Sequence, residues 1–159
     1  MILRQAEPRD IAPILAFWNP LIRDTSVTFT TVEKTPETLA ADIASRGAAF
    51  QVVEKAGAVL GFASYGAFRS GPGYAHTAEH TVILAPEARG HGVGRALMTR
   101  LEDVARTAGL HVLVAGVSGE NVSAIAFHRA VGFAEVARMP EVGRKFGRWM
   151  DLVLLQKTL

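Results

Sequence analysis

Apolar positions along this chain switch between a spacing of two and a spacing of three to four, and each switch marks a new element. Ile2 to Arg4 reads as a short first strand. Pro8 then opens a helix whose apolar residues Ile11, Ile14, Leu15 and Trp18 share one face. Pro20 is expected to interrupt or bend that helix, since its ring excludes a backbone hydrogen bond. Thr25 to Val32, rich in Thr and Val, is extended in character. Thr35-Pro36 starts a second helix with proline at its first position, running through Leu39, Asp42 and Ile43 to Arg46, and Gly47 ends it.

Phe50 to Glu54 and Val59 to Tyr65 read as two strands of a hairpin, joined at Lys55 to Ala58. A glycine-rich loop, Ser70-Gly71-Pro72-Gly73-Tyr74, precedes a strand over Thr77 to Leu84. After Gly92 a helix aligns Val93, Leu97, Leu101, Val104 and Ala108 along one side, and Gly109 stops it. Leu110 to Val117 is almost continuously apolar, as in a strand covered on both faces. Val122 to Val131 is the next helix, and Phe133 to Ala137 with Trp149 to Leu155 form a last strand pair. Antiparallel strands followed by strands crossed by helices predict an α/β domain with a mixed sheet.

Composition narrows the class. The 159 residues fit one domain, 1–159, with a sizeable core and no repeat or linker to divide it. A net charge of +2 with no strongly basic helix argues against a nucleic acid partner. Cysteine is absent, which removes disulfides, thiolate ligands and a cysteine nucleophile. His76, His91 and His111 lack metal-ligand spacing, so no metal is expected. No apolar run approaches the roughly 20 residues of a membrane span, and no secretory pattern opens the chain. A cytoplasmic protein away from membranes is the expectation.

The chemistry concentrates in Arg89-Gly90-His91-Gly92-Val93-Gly94-Arg95, which lies between a strand and a helix. Glycines at alternate positions let the backbone curl and aim several N–H groups one way, beside the positive end of a helix. Such a loop binds phosphate. It is not a P-loop, because no Lys-Ser or Lys-Thr follows, and Arg95 and Leu97 break the spacing of the dinucleotide fingerprint. What remains is Arg-x-x-Gly-x-Gly, at Arg89, Gly92 and Gly94. Further on, Asn121, Ala124, His128 and Gly132-Phe133 form a second signature.

The two signatures together resemble the GNAT superfamily of N-acetyltransferases. Glu79-His80-Thr81-Val82, Trp18-Asn19, Tyr65-Gly66 with Arg69, and the segment Val142 to Leu152 narrow this to its phosphinothricin and methionine sulfoximine N-acetyltransferase branch. The resemblance implies the GNAT fold, a mixed, mostly antiparallel sheet flanked by helices. It implies acetyl-CoA as co-substrate, its diphosphate on the amides of Gly90 to Arg95 and its pantetheine along the backbone of Val82, Ile83 and Leu84. Asn121 is the matching cofactor-side amide, and it reads equally well as a helix cap.

The implied reaction is direct transfer of acetyl to the α-amine of a small amino acid analogue such as phosphinothricin, methionine sulfoximine or methionine sulfone. Glu79 is the candidate general base, with a strand-edge ion pair as the alternative. His128 stands where the superfamily often has a tyrosine that protonates the leaving sulfur, with a helix-surface histidine as the alternative. His80, on the opposite strand face from Glu79, reads as structural. The branch maps substrate contacts onto Pro72, Gly73 and Tyr74, and Arg69, Lys145 and Arg148 offer cations for an anionic group. Tyr74, Ala75 and His76 depart from the branch pattern of Phe, Arg and Gly, which leaves the amine's identity open. A homodimer is implied by the branch. The competing functions are a transferase for protein N-termini or other small amines, and a non-catalytic acyl-CoA-binding module.

Overall fold

Val52 and Val53 are both fully buried although neighbouring strand residues point to opposite faces, so the sheet has a covering layer on each side. The same alternation recurs at Phe62 and Ala63, and Val82 and Ile83 likewise pack into different clusters. In the computed structural model, which describes residues 1–159, seven strands form one sheet in the order β1-β2-β3-β4-β5-β7-β6. They are β1 Ile2–Gln5, β2 Phe50–Lys55, β3 Ala58–Ala67, β4 Thr77–Leu84, β5 Val112–Ser118, β6 Ala134–Lys145 and β7 Arg148–Thr158. Every neighbouring pair is antiparallel except β4 with β5.

Two helices cover one face. Helix α1 (Ile11–Asp24) and helix α2 (Pro36–Arg46) press Ile14, Phe17, Leu39 and Ile43 onto Phe50, Val52 and Phe62. Thr35 caps α2 through its hydroxyl, which accepts from Thr38 N at 3.1 Å, with Pro36 at the first position as the sequence implied. Helix α3 (Val93–Thr107) packs Val93, Leu97 and Leu101 against the other face, and helix α4 (Val122–Ala130) adds Ile125 there.

Three expectations need correction. Helix α1 continues through Pro20 to Asp24 instead of breaking there. Thr25 to Val32 joins no strand; Val27 N and Val32 N donate to local threonine hydroxyls, the Ser26 hydroxyl donates to Glu120, and the Thr28 carbonyl accepts from Lys145. The last hairpin is far longer than Phe133 to Ala137 against Trp149 to Leu155. Its first strand accommodates Pro140 through an irregularity between Met139 and Gly143, where Glu141 takes φ +57°.

Candidate active site

The sheet forks between its two parallel strands. β4 and β5 pair from Thr77 with Val112 to His80 with Ala115, and no further. β4 nevertheless runs on to Leu84 and β5 to Ser118, each still bonded to its outer neighbour. The inner edges of Thr81 to Leu84 and Gly116 to Ser118 are therefore unpaired backbone facing a gap, where an extended ligand can add as a strand.

A cavity of about 580 Å³ occupies this gap and crosses the sheet. On the α3 and α4 side it meets Arg89, Gly90, Gly94, Asn121, Phe127 and His128. On the α1 side Trp18, Leu21, Val27, Thr28 and Phe29 line it, together with Leu152 of β7.

Gly90 and Gly92 adopt φ of +79° and +74°, a left-handed backbone that glycine takes without strain. The curl has a direct consequence. None of the six successive amides from Gly90 to Arg95 donates to a backbone acceptor, and the last three begin α3, whose dipole is positive at that end. Gly94 lets the turn sit close to α4, since a Cβ there would be 3.2 Å from the Phe127 ring. The side chains in this loop do other work: Val93 is buried, Arg95 donates to the carbonyl of Ala130 at 3.2 Å, and His91 is exposed and does not line the cavity. Asn121 caps α4 by accepting from Ala124 N at 3.2 Å, as one sequence reading had it, and it also lines the cavity.

Glu79 lies just before the fork, on the α1 side of the sheet. Its Oε1 is 3.3 Å from where a Cβ on Gly116 would sit; Gly116 lines the cavity, and Glu79 itself does not. The residue as a whole is exposed, but packing against this bare backbone partly desolvates the carboxyl and raises its pKa above the ordinary value. No cation offsets that shift, so the ion-pair alternative is not realised.

His80 and His128 meet on the opposite face. Their Nε2 atoms are 2.9 Å apart, and His128 Nδ1 is 2.8 Å from the carbonyl of Ala124, one helical turn back. Both rings are buried, and burial lowers both pKa values, so the pair is neutral at neutral pH. His128 is thus no surface histidine.

A match to the Acetyltransferase (GNAT) family covers residues 18–133, which includes the fork, the glycine loop and both histidines. The chain belongs to that family. It is 38% identical over 162 residues to the L-methionine sulfoximine/L-methionine sulfone acetyltransferase of Salmonella typhimurium, covering 100% of this chain and 95% of that one. It is 47% identical over 108 residues to the L-amino acid N-acyltransferase MnaT of Escherichia coli, a match spanning 68% of this chain and 63% of that relative. Among solved structures, a GNAT superfamily phosphinothricin acetyltransferase from Sinorhizobium meliloti in complex with AcCoA superposes with a TM-score of 0.91 at 31% identity, covering 99% and 88% of the two chains. The resemblance read from the two signatures is therefore upheld, as is the fold.

The structure distributes the expected substrate residues differently. Arg69 and Tyr74 line a separate surface depression beside Arg46 and Leu110, with the Arg69 guanidinium 5.6 Å from the Tyr74 ring centre, and neither they nor Pro72 and Gly73 border the fork cavity. Lys145 is corrected outright as a substrate cation. It is buried, and its ammonium donates at 2.7 Å to the carbonyls of Ile22 and Thr28. Arg148 pairs with Glu120, which also receives the Ser26 hydroxyl.

What the sequence reading missed is the wall on the α1 side. Phe29 fits because Gly143 leaves room for it; a Cβ on Gly143 would be 2.6 Å from its ring. Trp18 at helical spacing from Ile14 looks like core in the sequence, and only the fork reveals that it also faces ligand space. No helix is long and apolar enough to cross a membrane.

Proposed function

We propose that this GNAT protein transfers the acetyl group of acetyl-CoA directly to the α-amine of a small amino acid analogue of the methionine sulfoximine, methionine sulfone or phosphinothricin type. The observation that carries this is the row of six free amides at the mouth of a forked sheet. Those amides, with Arg89, suit a diphosphate, and the unpaired edge of Val82 to Leu84 suits the amide-bearing pantetheine arm. The apolar wall of Trp18, Val27 and Phe29 suits a short side chain. By name, the Salmonella typhimurium relative acts on methionine sulfoximine and methionine sulfone, the Sinorhizobium meliloti enzyme on phosphinothricin, and MnaT on L-amino acids.

In this reading Glu79 removes a proton from the ammonium through water, which its raised pKa favours. The backbone at the fork orients the thioester and donates to its oxygen as negative charge develops there. Holding both reactants in line accounts for much of the acceleration, about 7–11 kcal/mol in favourable cases. The adduct nitrogen then carries one proton too many for the amide, and the departing sulfur one too few. His128, on the α4 side of the cavity, passes that proton across.

A homodimer and a cytoplasmic location belong to the same proposal. Exposed Val136, Met139 and Val142 on the outermost strand support the dimer. The test is thiol release from acetyl-CoA with purified protein across methionine sulfoximine, methionine sulfone, phosphinothricin, ordinary amino acids and peptides. Turnover of the analogues ahead of peptides supports the proposal. Peptides alone as substrates, or no turnover of any amine, refutes it.

A further inference from the structure

Gly143 is a glycine of a different kind from Gly90 and Gly92. Its φ lies outside the left-handed region, whereas Glu141 and Phe146 in the same hairpin take φ of +57° and +53° without being glycine. The backbone at 143 therefore has no need of glycine, and what the position excludes is volume. An added Cβ would stand 2.6, 2.7 and 2.9 Å from three atoms of the Phe29 ring, closer than packed carbon atoms come. The same ring borders the fork cavity.

The cavity divides by chemistry. The free amides of the glycine loop and the unpaired edge of β4 suit the cofactor, which leaves the α1 side for the acceptor. The wall there is Trp18, Leu21, Val27, Thr28, Phe29 and Leu152, with no charged side chain among them. Such a surface suits an alkyl side chain. We propose that Gly143 sets the length of acceptor this wall admits: with no side chain of its own it seats the Phe29 ring back on β6 and leaves room for an unbranched side chain as long as that of methionine sulfone. This rests on the acetyl-transfer reading and makes Gly143 a specificity-determining residue that acts through Phe29 without touching the substrate.

The main chain around Phe29 is held on both sides. Gly143 and Lys145 are the two buried residues of β6 and share one face of it. Gly143 receives the Phe29 ring, and Lys145 donates at 2.7 Å to the carbonyls of Thr28 and Ile22. The Ser26 hydroxyl donates to Glu120 at 3.2 Å. Further on, the Asn19 amide brackets Lys34, accepting from its N at 2.8 Å and donating to its carbonyl at 2.9 Å. With the loop fixed at these points, a residue larger than glycine at 143 must turn the ring about its own side-chain bonds. The open space beside the ring is the cavity, so the turn shortens the acceptor pocket.

The test compares wild type, Gly143→Ala, Phe29→Leu and the double variant with acetyl-CoA and a series of L-amino acids, from alanine through 2-aminobutyrate and norvaline to methionine sulfone. In Gly143→Ala the ratio of kcat/KM between the longest and the shortest amino acids that wild type turns over should fall at least about tenfold, with the KM for acetyl-CoA changed by less than about twofold. Adding Phe29→Leu removes the ring that the new methyl displaces, and should bring the ratio back to within about threefold of wild type. A general loss of folding would lower all rates together and leave the ratio where it was. An unmoved ratio in Gly143→Ala, or a double variant no better than the single one, overturns the proposal while acetyl transfer stands. Wild-type failure on every amino acid removes the acetyl-transfer reading and this proposal with it. A crystal structure of Gly143→Ala supplies a readout independent of turnover. The ring should be rotated into the fork cavity with Lys145 still on the Thr28 carbonyl; a ring in its present place, or a loop lifted off β6, overturns the proposal.

Discussion

Lys145 Nζ lies 2.7 Å from the carbonyl oxygen of Thr28, across 117 residues of sequence, and so ties the last hairpin to the loop that walls the cavity. A buried ammonium with two carbonyl partners and no carboxylate is held below its ordinary lysine pKa by desolvation. Lys145→Met keeps the stem but removes the donors, each bond to a charged group being worth about 1.5–3 kcal/mol. The loop carrying Val27 to Phe29 should then loosen. The expected outcome in steady-state kinetics is a KM for the amine raised about tenfold, with affinity for acetyl-CoA changed by less than about twofold. An unchanged amine KM would remove the loop from the acceptor site.

The cofactor side has its own probe. Gly94→Val places branched bulk where a Cβ alone would approach the Phe127 ring to 3.2 Å, and so displaces the start of α3. Affinity for acetyl-CoA measured by calorimetry should fall about tenfold, with little effect on the amine KM. The opposite pattern would mean that the turn and the cofactor are not in register.

Glu79→Gln removes the base without removing volume. kcat/KM should fall by roughly 10² to 10⁴, with acetyl-CoA binding intact. Because a base acts only when ionised and the Glu79 carboxyl sits above its ordinary value, wild-type activity should fade with acidification at a higher pH than an unperturbed glutamate would give. Retention of more than about a tenth of the wild-type rate in Glu79→Gln would exclude it as the base.

Both buried histidines also link stability to pH. Their folded pKa values are depressed, so below the unfolded value near 6.5 the unfolded chain binds protons that the folded chain does not. Stability is therefore fully present above that pH and falls as the solution is acidified toward the folded values. His80, held at about 3, should contribute a slope of roughly 1 kcal/mol per pH unit, read from urea unfolding between neutral pH and pH near 5, and His128 a slope of the same sign. His128→Gln should have a visibly shallower slope than wild type. An identical slope would show that the ring is not buried neutral.

Much of this site was legible in the residues themselves. Gly90, Gly92 and Gly94 announce a curled backbone because spacing and φ tolerance are local properties. The fork was not legible, since it depends on where β4 and β5 cease to pair, and each strand reads as a continuous apolar run past that point. His80 and His128 are 48 residues apart, and neither carries a local sign of the other. Lys145 looked like a free cation because Arg144 and Arg148 cluster with it in the sequence; its burial follows from tertiary packing against Ile22 and Thr28. Pro140 and Gly143 imitate a turn, which hid the length of β6 and with it the notch that receives Phe29.

The most direct test of the central claim is calorimetric titration of the protein with acetyl-CoA and, in parallel, with S-acetylpantetheine, which lacks the diphosphate. If the amides of Gly90 to Arg95 hold that group, acetyl-CoA should bind one per chain and at least about 100-fold more tightly than the truncated thioester. Equal affinity for the two, or no heat with acetyl-CoA, would contradict it.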